Sequence, residues 1–189
     1  MKKPYRNSIR SREMIRRAFI ELLREKELDR ITVVDIVSGA DLSRNTFYAH
    51  YQDIYAILEE YQQDTLVQFD TILAETEAQQ GFDDVEQLLH RIVQYIHENK
   101  EALQVLVNTK QTADFVQKLK TLVLERNFAN LRRQNIGDEE GFRFFLEVLG
   151  SGFVDMIISV LKENNEERSL TDIADGISRI YRSGVAVYR

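Results

Sequence analysis

Cysteine is absent from this chain of 189 residues. That removes disulfide crosslinks, thiolate nucleophiles, thiolate metal ligation and thiol redox sensing together. Tryptophan is absent too, proline occurs once and glycine eight times. So few breakers favour long helices over a turn-rich sheet protein. No uninterrupted apolar run reaches the length of about 18 residues expected of a bilayer-spanning helix. The N-terminal MKKPYRNSIRSR is basic. No apolar stretch follows it, so it does not read as a signal peptide. The expectation is a cytoplasmic protein with no membrane partner.

What is present is an ordinary globular composition, 43% hydrophobic and 30% charged. It suits one or two small domains with a real core. The formal net charge of −6 hides an asymmetry. Residues 1–50 carry 11 Lys and Arg against 7 Asp and Glu, whereas the remainder carries 14 against 24. A basic segment on an acidic body points to a polyanion at one end. A solvated basic tail is the plainer alternative.

Helical periodicity runs through the whole chain. Ile15, Ala18, Phe19, Leu22 and Leu23 mark one face of a first helix over about 9–27. Thr32 with Asp35 three residues on approximates a capping box for a second helix, which Gly39 ends. Ser43 caps a short third helix through Ala49, and Asp53 a long fourth. Five further helices follow, over residues from 85, 100–107, around 115–131, 139–163 and from Ser169 onward. No alternating segment demands a sheet, so the expected class is all-α. The eighth helix, GFRFFLEVLGSGFVDMIISVL, is apolar on more than one face, which favours self-association. A central helix of a monomeric bundle is the alternative.

Residues 32–51 form a capped helix, a turn and a second short helix. This is the arrangement of a helix-turn-helix, whose second helix enters the major groove. The segment LSRNTFYAHYQDI supplies hydroxyls, an amide and an Arg, side chains suited to phosphates and base edges. The basic arm before it would add sequence-independent attraction.

The stretch ITVVDIVSGADLSRNTFYAHYQDIYAIL, preceded by IRRAFIELLREK, resembles the DNA-binding domain of the tetracycline-repressor (TetR) family. Thr32, Asp35–Ile36, Ala40, Ser43–Arg44, Phe47–Tyr48 and His50–Tyr51 occupy the family's motif positions. Asp41 stands where the family usually has Gly, and Ile54 where a phosphate-binding Lys commonly starts the fourth helix. The resemblance implies a nine-helix architecture. Residues 1–52 would be the helix-turn-helix domain and 53–189 a helical ligand-binding and dimerisation domain. It implies a homodimeric repressor on a pseudo-palindromic double-stranded operator, released by a small apolar effector. A helical adaptor or ligand carrier controlled by a protein partner, without enzymatic activity, is the alternative.

On this reading Thr32, Ser43, Tyr48, His50 and Tyr51 serve caps, phosphates or sugars, while Arg44, Asn45 and Thr46 meet base edges. Phe47 belongs to the core. His50 either grips phosphate or braces the start of the fourth helix. Arg10 and Arg12 reach the minor groove or belong to a loose arm. Leu89, Tyr95, Phe115, Leu122, Phe128, Phe144 and Phe153 are the candidate effector lining. Leu149, Gly152, Met156, Val160, Ile173, Ile177 and Ile180 are the candidate dimer interface. His90 and His97 share a helical face with Glu86 and Glu101 nearby, and a two-His, one-carboxylate metal site is conceivable. Consecutive turns of an exposed helix explain the pattern better. No metal, cofactor or catalytic residue is expected.

Overall fold

The structure, a computed structural model, describes residues 3–80, 85–110, 112–131, 138–163 and 169–188; for 3–6, 76–80 and 127–131 it describes the backbone alone. Among the described residues there are nine α-helices and no strand. They are α1 (Lys3–Glu25), α2 (Val33–Gly39), α3 (Arg44–Tyr48), α4 (Ile54–Gln80) and α5 (Val85–Glu98). Then come α6 (Lys100–Asn108), α7 (Thr112–Leu131), α8 (Glu139–Glu163) and α9 (Leu170–Tyr188). The all-α expectation holds. α1 begins earlier than its apolar spacing indicated, with Pro4 in its first turn. A missing N–H costs nothing there.

The chain forms two compact units, Met1–Asp64 and Thr65–Arg189. The division falls inside α4 and not at 52–53. The first turns of α4 bury Ile54, Ile57 and Leu58 in the core of the first unit. That core also holds Ile15, Phe19, Ile36 and Phe47, all fully or almost fully buried.

Local rules set the short elements. Thr32 accepts the Asp35 amide at 3.2 Å while the Asp35 carboxylate accepts the Thr32 amide at 2.8 Å, a reciprocal capping box. Ser43 accepts the Thr46 amide at 3.1 Å and starts α3. Asp41 takes φ 51 between these helices. This left-handed geometry favours Gly, and Asp tolerates it better than most residues.

In the second unit α5 packs on α9, and α8 on α6, α7 and α9. α5 buries Val85, Leu88, Leu89, Ile92, Val93 and Ile96 along one stripe. In the first turns of α8, the Phe142 ring lies 5.8 Å from Phe145 and 5.5 Å from Tyr188. Gly184 makes this possible, because a Cβ there would collide with the Phe145 ring.

By length and composition α8 could cross a membrane, although only 28% of its apolar window is buried. Glu147 and Asp155 interrupt its apolar run without making it polar. Its packing is that of a core helix with one uncovered face. Phe142, Leu146, Phe153, Val154, Ile157 and Leu161 are buried, whereas Phe144, Val148 and Met156 are exposed.

Candidate nucleic-acid interface

α3 has only five residues, so its orientation must come from anchors. Phe47 is the chief one, with no exposed surface. Tyr48 packs edge-on against it at 5.5 Å and remains 58% exposed. Arg44 and Asn45 are exposed on the same helix. Among the described residues no hydrogen bond or ion pair engages either side chain. The helix thus presents a guanidinium, an amide and a phenol over an apolar root.

The other expected contact residues are committed locally or inward. The Thr32 hydroxyl donates to Asp35 at 2.7 Å. With its own hydrogen bonds foremost, and Lys26 beside it, Thr32 holds the Asp35 carboxyl down at about 2. Ser43 and Thr46 share a hydroxyl–hydroxyl contact at 2.9 Å. His50 Nε2 lies 2.8 Å from Ser11 Oγ on α1, so its ring braces the turn against that helix. Tyr51 was expected at the DNA surface, yet it is only 4% exposed and donates to Glu60 at 3.2 Å. Burial, with the Glu60 carboxylate beside it, pushes the Tyr51 phenol up to about 12.

Glu60 is the hub that sequence reasoning missed. It accepts from Arg12 at 2.5 Å, from Arg16 and from Tyr51. Arg16 also donates to Asp64 at 2.6 Å and covers the Tyr61 ring at 3.9 Å. Burial alone would raise the Glu60 carboxyl, but the two guanidinium bonds outweigh it and lower it. Arg12 therefore lies against α4 and not in a loose arm. One signal was available: Arg12 and Arg16 are one helical turn apart, as are Glu60 and Asp64. Two such pairs match across a helix–helix contact.

Ile54 stands where a Lys was expected and is buried, at 9% exposure. Asp53 caps α4 by accepting the Ala56 amide at 2.9 Å. Tyr55, one residue on from Ile54, is exposed.

The second unit holds a partly open apolar cavity of about 60 Å³. Leu73, Leu88, Ile92, Leu146, Phe153 and Tyr181 are among its walls, and Leu89, Leu149 and Ile177 also line it. Of the expected lining, Leu89 and Phe153 are in place. Phe115 is buried in the core, and Tyr95 stacks edge-on with Phe69 at 5.4 Å. Leu122 is half-buried away from the wall. Phe144 is 69% exposed. It lies nine residues from Phe153, two and a half helical turns at 3.6 residues per turn. The two therefore point to opposite sides of α8. The Phe128 side chain lies outside the described residues.

A family model described as the C-terminal region of TetR transcriptional regulators matches residues 83–183, more than half of the chain. The chain belongs to the TetR family of transcriptional regulators.

Solved structures share the fold along almost the whole chain. The dihydroxyacetone kinase operon activator DhaS superposes with a TM-score of 0.69 at 16% identity, covering 95% of this chain and 98% of its own. The TetR-family repressor FadR of Thermus thermophilus, solved with lauroyl-CoA, gives 0.60 at 23% identity, with coverages of 92% and 94%. A stretch of 97 residues is 23% identical to YxbF of Bacillus subtilis, an uncharacterised helix-turn-helix regulator. That stretch spans 50% of this chain and 26% of YxbF, about a quarter of the relative's length.

Within this TetR-family fold the residues expected at a dimer interface fall into three groups. Ile173 is buried in the core, and Val160 is half-buried. Leu149 and Ile177 line the cavity. Gly152, Met156 and Ile180 remain on the outer face, where Phe144, Val148 and Val187 are also exposed. A Cβ added at Gly152 or Gly176 would meet nothing within 4 Å.

Proposed function

We propose that the protein is a sequence-specific DNA-binding regulator, a homodimeric repressor of a pseudo-palindromic operator. The observation that carries this reading is α3: Phe47 is fully buried while Arg44, Asn45 and Tyr48 stand exposed above it. Arg44 suits bidentate donation to guanine O6 and N7, and Asn45 suits adenine. The Tyr48 and Tyr55 phenols suit phosphate oxygens, taking up the role a Lys at position 54 would have had. Tyr51 and His50 then act behind the surface, the first through Glu60 and the second through Ser11.

The outer face of α8 and α9 is the proposed dimer contact. Phe144, Val148, Gly152 and Met156 recur every four residues, so they form one ridge on α8. Two mid-helix glycines without neighbours would let a second copy approach closely. A two-fold dimer reads two half-sites about one helical turn, or a multiple of it, apart.

The cavity walls are apolar apart from Tyr181, which suits an uncharged apolar effector. Its volume, about 60 Å³, is far below the 300–1,000 Å³ of ordinary ligand pockets. An effector must therefore widen it; FadR, which shares this fold, is solved with lauroyl-CoA. The same small volume favours a second reading, control by a protein partner that docks on the regulatory unit. Repression then ends by a population shift toward a dimer whose reading helices no longer match the groove.

Selection from a pool of random duplexes tests the proposal. The expected result is an enriched inverted repeat, retained by two protomers per duplex. A pool that stays unenriched after repeated rounds would overturn the DNA reading.

A further inference from the structure

The seam between α5 and α9 carries a cluster that DNA reading does not use. Glu86 and His90 lie one turn apart on α5, and Asp175 comes from α9. Ligand-capable atoms of all three lie within 4.8 Å of one another. The side chains are partly exposed, 47% for Glu86, 43% for His90 and 41% for Asp175, so solvent can deliver an ion.

The His90 ring is already oriented. Its Nδ1 lies 2.8 Å from the Glu86 backbone carbonyl oxygen, an atom that only accepts. Nδ1 therefore carries hydrogen, and a neutral ring turns its acceptor Nε2 toward Asp175 Oδ1 at 3.3 Å. Two acceptors at that separation repel unless positive charge lies between them. The separation also fits a shared metal ion: zinc bonds of about 2.0–2.1 Å set tetrahedral ligand atoms about 3.3–3.4 Å apart. A backbone carbonyl holding the far ring nitrogen is the arrangement metal-bound imidazoles use.

We propose that Glu86, His90 and Asp175 form a site for a divalent transition-metal ion of the zinc class, with water completing its shell. One imidazole with two carboxylates suits such an ion, whereas an all-oxygen set would suit magnesium or calcium. Arg182 is the competitor. Its guanidinium donates to the Glu86 carboxylate and lies 3.2 Å from Ser178 Oγ. At 57% side-chain exposure it is free to swing off Glu86 when the ion arrives. The bound ion staples α5 to α9, and both helices wall the apolar cavity through Leu88, Ile92, Ile177 and Tyr181. Metal occupancy would therefore stiffen the cavity walls and oppose its widening. The site stands apart from the DNA reading, since its readout needs no DNA.

The test is zinc titration of the untagged, chelator-stripped full chain by calorimetry, with cobalt(II) absorption as a probe of coordination. Wild type should take up one ion per chain and show the intense visible bands of a four-coordinate cobalt site. His90→Gln and Asp175→Asn should each bind more than about a hundredfold more weakly, beyond the effect of losing an outer-shell partner. Arg182→Gln should bind several-fold more tightly, because it frees Glu86. Circular dichroism checks that each variant is folded. Absence of zinc uptake by wild type, or unchanged uptake by His90→Gln, would overturn the proposal. So would weaker uptake by Arg182→Gln, which would make the cluster an ion-pair seam around a protonated imidazole.

Discussion

In the first unit Glu60 gathers Arg12, Arg16 and Tyr51, Ser11 holds His50, and Thr32 and Asp35 cap each other. Among the described residues of the second unit the exposed large apolar side chains are Val67, Phe144, Val148, Met156, Ile180 and Val187, and two helical glycines face open space, whereas the first unit exposes Ile9, Val34, Tyr48 and Tyr55. The first unit ties its polar groups to one another, which holds the proposed reading surface and leaves only a few side chains for the groove. The second leaves an apolar ridge on α8 and α9 uncovered, the surface proposed for the dimer contact. Groove reading needs side chains held in one geometry, whereas regulation needs surfaces that can associate and shift.

The largest expected effect strikes the anchor of the reading surface. Phe47→Ala should cost about 3–5 kcal/mol, the range for truncating a buried aromatic ring. Thermal unfolding followed by circular dichroism should show the first unit melting early while the second keeps its transition. A uniform fall of both transitions would break the contrast between the units.

Next comes the polar hub. Glu60→Gln should cost about 1–2 kcal/mol at neutral pH, after discounting solvent screening at exposed Arg12. Its pH dependence has a definite sign. The Glu60 carboxyl is lowered from its ordinary 4.5, and Asp35 is held at about 2 in place of 3.8. Groups depressed in the folded state stabilise it above their unfolded values and lose that effect as pH falls through the folded ones. Wild type should therefore lose stability below about pH 4.5, steadily toward pH 2. Glu60→Gln should start lower and fall less steeply; parallel profiles would remove Glu60 from its role as hub.

The smallest effect sharpens the account of the second unit. Gly152→Ala should gain up to about 1 kcal/mol in monomer stability, since a mid-helix glycine is a poor helix former. The same methyl should weaken dimerisation in sedimentation at micromolar concentration. A variant that is more stable and no less dimeric would move the interface away from Gly152.

Much of the first unit was legible because its determinants are local. The Thr32–Asp35 box, the Ser43 cap and the burial of Phe47 all follow from neighbours within a few residues. Tyr51 misled, and the helix that His50 braces was not foreseen, because their partners are distant in the chain: Glu60 is nine residues away and Ser11 thirty-nine. In the second unit the helices were legible and the helix faces were not. α8 is apolar around much of its circumference, so composition alone could not tell the inward Phe153 from the outward Phe144. The glycines divide in the same way: Gly184 lies under the Phe145 ring, whereas Gly152 meets open space. Sequence marks both as glycine and does not reveal the neighbour.

The central claim is that two copies of a rigid head read DNA through a few exposed side chains. The most direct measurement is selection of random duplexes by wild type and by Arg44→Ala in parallel. The account predicts one inverted repeat for both, with base preference lost in the variant at one mirrored position in each half-site. That loss should correspond to about 1–3 kcal/mol of discrimination. An unchanged preference, or a loss in only one half of the site, would contradict it.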